Sequence, residues 1–406
     1  MSTTVFRNAV VLPCTGADPI EGGSVVVENG VIVDIGSGPA SGTEYTVDCR
    51  GGTLMPGLID AHVHVCSLDV EIARQQREYT TSLLAYATAK VIKDTLLQGY
   101  TTVRDAGGAD WGMKEAIRRG LIPGPHLLVS GHPLSQTGGH GDARTRAQGC
   151  GCGAAIGMID NIADGVDEVR KAAREQLRQG VDAVKVMAGG GVASPTDPLE
   201  SPQYQPDELR AIVAEASAAG TYVLAHAYTP ASIANAVEAG VRSIEHGNLL
   251  DEPTAALMAR SGAYLVPTLV TYEKLYEEGR EYGLGAEKLA KLETVLGAGL
   301  EGLRRAVDAG VAIGSGSDLL GPLARHRSRE LAIKAQVLGA HDTLIATTRT
   351  NAELLQIADV TGTIEVGKRA DLLVVGGDPL ADIAILQDIE ALAVIMKSGA
   401  FVVNRL

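Results

Sequence analysis

The chain has 406 residues, 45% of them hydrophobic but only 3% aromatic, a length that suits a large barrel with an accessory unit and a core of Val, Ile, Leu and Ala. A formal net charge of -14 excludes nucleic acid and anionic membranes as natural partners and favours a small molecule. No apolar run reaches membrane-spanning length, and the five scattered cysteines, without a basic and apolar leader, predict a reduced, cytoplasmic protein.

Residues 5–48 offer short β-rich pieces broken by turn residues, and Asn29-Gly30 between two valine-rich runs is the dipeptide that a two-residue hairpin prefers. The opening reads as a small antiparallel sheet. From Gly57 the texture changes to apolar strands alternating with amphipathic helices. Strand candidates cover 57–65, 99–107, 126–131, 182–190, 221–228, 243–247, 263–269 and 311–318. Helical patterns lie between them, as at 164–180, where Val166, Val169, Ala173 and Leu177 recur at helical spacing and Gly180 supplies the stop. This pattern predicts an α/β fold, a (β/α)8 TIM barrel over residues 57–361. The extra length at 130–162 and 269–300 predicts loops or inserted helices over the barrel mouth. After Thr361 the texture returns to β, and neither end has enough strands to close a core alone. Residues 1–56 and 362–406 are therefore expected to form one composite β-sandwich domain.

Catalytic residues of such a barrel sit at the C-terminal ends of its strands, and that rule selects a coherent set. The first strand ends in His62 and His64, which at i and i+2 share a face; the fourth carries Lys185, the fifth ends in His226, the sixth in His246 and the eighth in Asp318. Histidine offers an unprotonated ring nitrogen to zinc-type ions at neutral pH. A lone histidine among nine is more often a satisfied core or loop residue, but an ordered series ending successive strands reads as a metal site. Lys185 lies between valines, where burial lowers a lysine's pKa. An uncharged amine there can react with carbon dioxide to give a carbamate able to bridge two ions. The plainer alternative is a lysine that snorkels or pairs with an acid.

The segment PGLIDAHVH, followed in order by Lys185, His226, His246 and Asp318, resembles the amidohydrolase superfamily in its binuclear form, and the tail TGTIEVGKRADLLVVGGDPL is similar to the close of that superfamily's accessory sandwich. The resemblance implies two divalent ions, most simply zinc. His62, His64 and Asp318 would hold one and His226 and His246 the other, with carboxylated Lys185 and a hydroxide bridging them. It also implies a homo-oligomer. TGGHGD around His140, KVMAGGGVASPTDP from Lys185, AHAYT from Ala225 and GSDLLGP from Gly314 are similar to a narrower branch. That branch comprises prolidase and carboxypeptidase-like enzymes, imidazolonepropionase-related hydrolases and ochratoxin-degrading amidohydrolases.

In the hydrolysis so implied, Asp318 takes the proton of the attacking hydroxide and passes it to the departing amine. Tyr228, two residues beyond His226, is placed to hold a substrate carbonyl or carboxylate oxygen, and His140, between glycines, to stabilise the oxyanion or anchor the carboxylate. Gly189-Gly190-Gly191 would let backbone approach a ligand or offer N–H groups to an anion, with a plain turn as the alternative. Arg325 and Arg327 read as solvated, Arg104 and Asp105 as a structural pair, and Cys150 and Cys152 as part of a glycine-rich loop. The leading expectation is a metal-dependent amidohydrolase cleaving an amide next to a free carboxylate, in Xaa-Pro or other dipeptides, N-acyl amino acids or ochratoxin-type amides. The alternatives are a cyclic-amide hydrolase or deaminase of the imidazolonepropionase type, against which Lys185 argues, and a non-catalytic assembly protein, which predicts missing ligands.

Overall fold

A computed structural model describes residues 3–37, 45–142, 144, 157, 161–194 and 197–406. Cys150 and Cys152 lie outside these described residues. The N-terminal segment forms β1 (Thr3–Val11), β2 (Ile20–Glu28), β3 (Val31–Ser37), β4 (Tyr45–Asp48) and β5 (Thr53–Pro56). The central strands are β6 (Leu58–Val63), β7 (Tyr100–Asp105), β8 (His126–Val129), β9 (Leu134–Ser135), β10 (Asn161–Ile162), β11 (Val184–Met187), β12 (Val223–Ala227), β13 (Ser243–His246), β14 (Tyr264–Val266) and β15 (Ala312–Ile313). The chain closes with β16 (Leu372–Val375), β17 (Leu392–Lys397) and β18 (Ala400–Asn404).

The two ends share one 8-stranded sheet, ordered β18-β17-β16-β5-β1-β2-β3 with β4 on β1. The join is the antiparallel pairing of β5 with β16, Leu54 opposite Val374. Asn29 (φ 50) and Gly30 (φ 83) turn β2 into β3 with both residues left-handed, as a two-residue hairpin requires. Four strand steps separate β18 from β1, about 19 Å in a flat sheet. Yet the Phe6 and Phe401 rings are 6.4 Å apart, so the sheet curls over and encloses its own core, a sandwich made from one continuous sheet.

Side chains alternate across this sheet with period two. Leu54, Leu372, Val374 and Met396 point into the sandwich with Phe6, Val25 and Ile32. The intervening Met55, Leu373, Val375 and Ile395 point the other way and pack on Leu58, Leu96 and Tyr100 of the barrel. One sheet therefore feeds two cores.

The barrel comprises β6-β7-β8 and β11-β12-β13-β14-β15, all parallel, with β9 and β10 added at the edge of β11. It closes at two seams. Asp182 N donates to Val129 O at 2.7 Å between β8 and β11, and Ala61 N donates to Ser315 O at 2.8 Å between β15 and β6. Asn351 rivets the second seam from outside: its Nδ2 donates to Ile59 O (2.7 Å) and Ser315 O (2.9 Å), and its Oδ1 accepts from Ser315 N. The insertion foreseen at 269–300 is helical, Leu269–Glu278 and Ala286–Asp308 joined through a 3-10 turn. Among the described residues no helix is long and apolar enough to cross a membrane.

Leu373 is fully buried between sheet and barrel, its methyls beside the Gly99 turn that enters β7. Leu373→Ala is expected to lower stability by about 2–5 kcal/mol, read as a lower denaturant midpoint at unchanged slope. A loss below about 0.5 kcal/mol would show that this face is not packed.

Candidate active site

The strand ends converge as the spacing requires. His62 in β6 and His64 just past its end lie together, ring centroids 5.3 Å apart. His62 Nε2 lies 3.4 Å and His64 Nε2 3.2 Å from Asp318 Oδ1, and His246 Nδ1 lies 3.9 Å from Asp318 Oδ2. The His226 and His246 rings are 4.6 Å apart, and His246 and His62 are 5.1 Å apart. One donor atom each from His62, His246 and Asp318 fall within 4.8 Å of one another. Lys185, 2% exposed, lines the same cavity.

Two of these residues adopt left-handed backbone, His246 at φ 78 and Asp318 at φ 51, a conformation that costs of order 1–3 kcal/mol away from glycine. Ser243 and Glu245 share the barrel-facing side of β13, so alternation alone would send His246 outward. The left-handed turn at the strand end swings its ring back to the centre. At Asp318 the turn is held by Ser317 N and Asp318 N, which both donate to His62 O at 3.2 and 2.8 Å. A Cβ at Gly316 would fall 2.5 Å from that of His62, so only glycine lets the two strands approach this closely.

Burial, followed by neighbouring positive charge including Lys185, holds His62 and His226 well below the ordinary imidazole range. Burial likewise pushes His246 down to about 3 and His140 to about 4. These rings are neutral at pH 7 and offer lone pairs. Burial also opposes charge on His64, but its hydrogen bond to Asp318 and that residue's charge outweigh it and the net shift is upward. Desolvation opposes charge on Asp318, which is partly buried, yet the surrounding imidazoles hold it below the usual carboxylate range. Neutral imidazole nitrogens with one ionised carboxylate form a donor set that fits zinc or a similar divalent ion. The cavity above them measures about 270 Å³, with Val70, Ile72, Val192, Leu275, Leu284 and Leu320 among its walls.

The amidohydrolase family pattern matches residues 53–402 of the sequence. The chain belongs to the amidohydrolase family. Ochratoxinase of Aspergillus niger is 32% identical over 98% of this chain and 86% of its own length. A crystal structure of an amidohydrolase superposes with a TM-score of 0.96 at 46% identity, covering 100% of both chains. A prolidase crystallised with N-methylphosphonate-L-proline gives 0.96 at 43% identity, covering 99% of this chain and 100% of that one. This amidohydrolase is accordingly a hydrolytic enzyme of a generally metal-dependent family, built on a TIM barrel.

The structure corrects several expectations about the amidohydrolase's polar residues. Arg104 and Asp105 do not pair, because neighbours on a strand face opposite ways. Arg104 points into the barrel and pairs with Glu245 at 2.8 Å, whereas Asp105 accepts from the backbone N–H groups of Val65, Gly107 and Ala109. Arg325 does reach the surface, paired with Glu278. Arg327 does not: it is buried, 3.0 Å from Asp60 Oδ2, because a carboxylate inside β6 needs a cation. In the glycine run, Gly190 N donates to Ser201 O and Gly191 N to Asp197 Oδ2, so these N–H groups serve the loop itself and not an anion. The close approach there is to His140, since a Cβ on Gly191 would lie 1.9 Å from its ring.

Sequence reasoning missed Glu245, although Ser243 and Glu245 sit at i and i+2 and a carboxylate in an apolar strand demands a partner. It also missed the hydroxyl chain behind Tyr228. Tyr272 OH donates to Tyr228 OH at 3.1 Å, Thr268 Oγ1 donates to Tyr272 OH at 3.4 Å, and His246 Nδ1 completes the series at 2.8 Å from Thr268 Oγ1. Each hydroxyl accepts from the one behind it, which leaves the Tyr228 proton to point into the cavity. Burial pushes both phenols further up, so they remain donors. His140 stacks on His226, centroids 4.2 Å apart, and its Nδ1 meets Ser194 Oγ at 3.0 Å. Tyr228→Phe should lower kcat/KM about 10–100-fold, the value of one hydrogen bond to developing charge, and Tyr272→Phe by a smaller factor, with metal content unchanged in both. Equal activity of Tyr228→Phe and the parent would remove the tyrosine from the site.

Proposed function

We propose that this amidohydrolase uses two divalent ions to cleave an amide bond next to a free carboxylate, in dipeptides such as Xaa-Pro or in N-acyl amino acids including ochratoxin-type amides. The convergence of His62, His64, Lys185, His226, His246 and Asp318 on one apolar-walled cavity carries this reading. The similarity to an ochratoxinase and to a prolidase supports the bond type. We divide the chain accordingly into a composite sandwich, 1–56 plus 362–406, and a catalytic barrel, 57–361.

His62, His64 and Asp318 would hold one ion and His226 and His246 the other. Lys185 lines the cavity together with His62, His140, His226 and His246. Lys185 Nζ, once deprotonated, would form an N–C bond to carbon dioxide with release of a proton, and the resulting carbamate would add an anionic group to the donor set. Divalent ions held there would supply an acidified water and a polarised carbonyl.

Asp318 stands at the junction of both halves and takes the proton released as water adds to the amide carbon. It then delivers that proton to the leaving nitrogen, without which an amide does not break. Tyr228, its proton aimed inward, steadies the carbonyl oxygen as charge develops. His140, neutral and ordered by Ser194, supplies a second polar contact for oxyanion or carboxylate. The aliphatic walls exclude water and receive an apolar side chain.

The test is a panel of Xaa-Pro dipeptides and N-acyl amino acids, each paired with its C-terminal carboxamide, assayed for amine release. Free acids should be cleaved about 10–100-fold faster than their carboxamides, the value of a charge-assisted contact. Ammonia release from heterocyclic substrates with no amide cleaved would overturn the reading.

A further inference from the structure

The four histidines differ in what stands behind them. His64 Nδ1 meets Gly107 O at 2.8 Å, His246 Nδ1 meets Thr268 Oγ1 at 2.8 Å, and His226 Nε2 meets Gly190 O at 3.2 Å. His62 Nδ1 instead meets a carboxylate, Glu245 Oε2, at 2.6 Å. Glu245 is itself fully held. Its Oε1 accepts from Arg104 at 2.8 Å and from Ser243 Oγ, while Arg104 Nε donates to Ala61 O at 2.6 Å, on the residue just before His62. Arg104, Glu245 and His62 are all at or near zero exposure. The relay thus begins and ends on β6, and crosses β7 and β13 on the way.

We infer that Glu245, tethered by Arg104, is a positioning residue that fixes His62 with its proton on Nδ1 and its Nε2 lone pair toward Asp318. The His62, His64 and Asp318 half of the site thereby becomes the tighter of two unequal metal sites. A carboxylate behind a ligating imidazole sets its tautomer and raises its basicity, and loss of such a partner weakens metal binding about 10–100-fold. The inference rests on the two-ion reading above.

Glu245→Gln is a sharp probe because both of its neighbours donate. The single amide oxygen must serve Arg104 and Ser243, so the amide NH2 turns toward His62 Nδ1. That forces the proton onto Nε2, the nitrogen that should carry the lone pair.

The experiment is a zinc titration of the metal-free full chain against a chromophoric chelator. Parent protein should bind in two resolved steps. Glu245→Gln should weaken the tighter step about 10–100-fold and leave the weaker step in place, while Thr268→Val should act on the weaker step alone. A tighter step that does not move in Glu245→Gln, or two steps weakened equally, overturns the relay. Failure of the parent to bind two ions overturns both the relay and the two-ion reading, and so is told apart from failure of the relay alone. Nitrogen-15 chemical shifts of the parent's histidines give a check that needs no variant: His62 protonated on Nδ1 agrees with the relay, and protonation on Nε2 refutes it.

Discussion

Ionisable groups placed inside an apolar barrel must find their partners there, and the rest of this molecule is arranged around that constraint. Asp60 meets Arg327, Glu245 meets Arg104, and Glu330 lies 3.7 Å from Lys334, all in the interior. Such pairs add little net stability because desolvation offsets their attraction, whereas removing one partner costs about 3–5 kcal/mol. Their value here is positional. Asp60 Oδ1 accepts from His62 N and Ser317 N, each at 3.1 Å, so one carboxylate ties the strand carrying two candidate ligands to the loop carrying a third. Glu330 Oε2 accepts from Val270 N at 2.7 Å and Lys334 Nζ donates to Gly314 O at 2.9 Å, which steadies the neighbouring strand ends.

Two of the candidate ligands sit on strained backbone. His246 and Asp318 take left-handed backbone that the surrounding hydrogen bonds hold in place, the pattern of a site whose geometry is set by the scaffold. The terminal sheet acts from the opposite side. Its outward face closes the core beneath β6 and β7, so the strands that carry His62, His64 and Arg104 are packed on both faces.

The order of His62, His64, Lys185, His226, His246 and Asp318 was legible in the sequence because barrel topology converts successive strand ends into one spatial ring. The Asn29-Gly30 turn and the pairing of the two chain ends were legible for similarly local reasons. Partners distant in sequence were not. Arg104 was matched with its neighbour Asp105, although alternation forbids that contact, and its true partner lies 141 residues away. Arg327 looked like a surface arginine because nothing local shows that Asp60 waits inside β6. The hydroxyl chain through Thr268 and Tyr272 depends on how an inserted helix docks, which periodicity does not encode.

The most direct test of the account is metal content per chain, measured by elemental analysis after reconstitution with zinc and bicarbonate and removal of loosely bound ions. A two-ion site predicts about two equivalents per chain, falling in Lys185→Ala. A parent chain that retains one equivalent or none would contradict it.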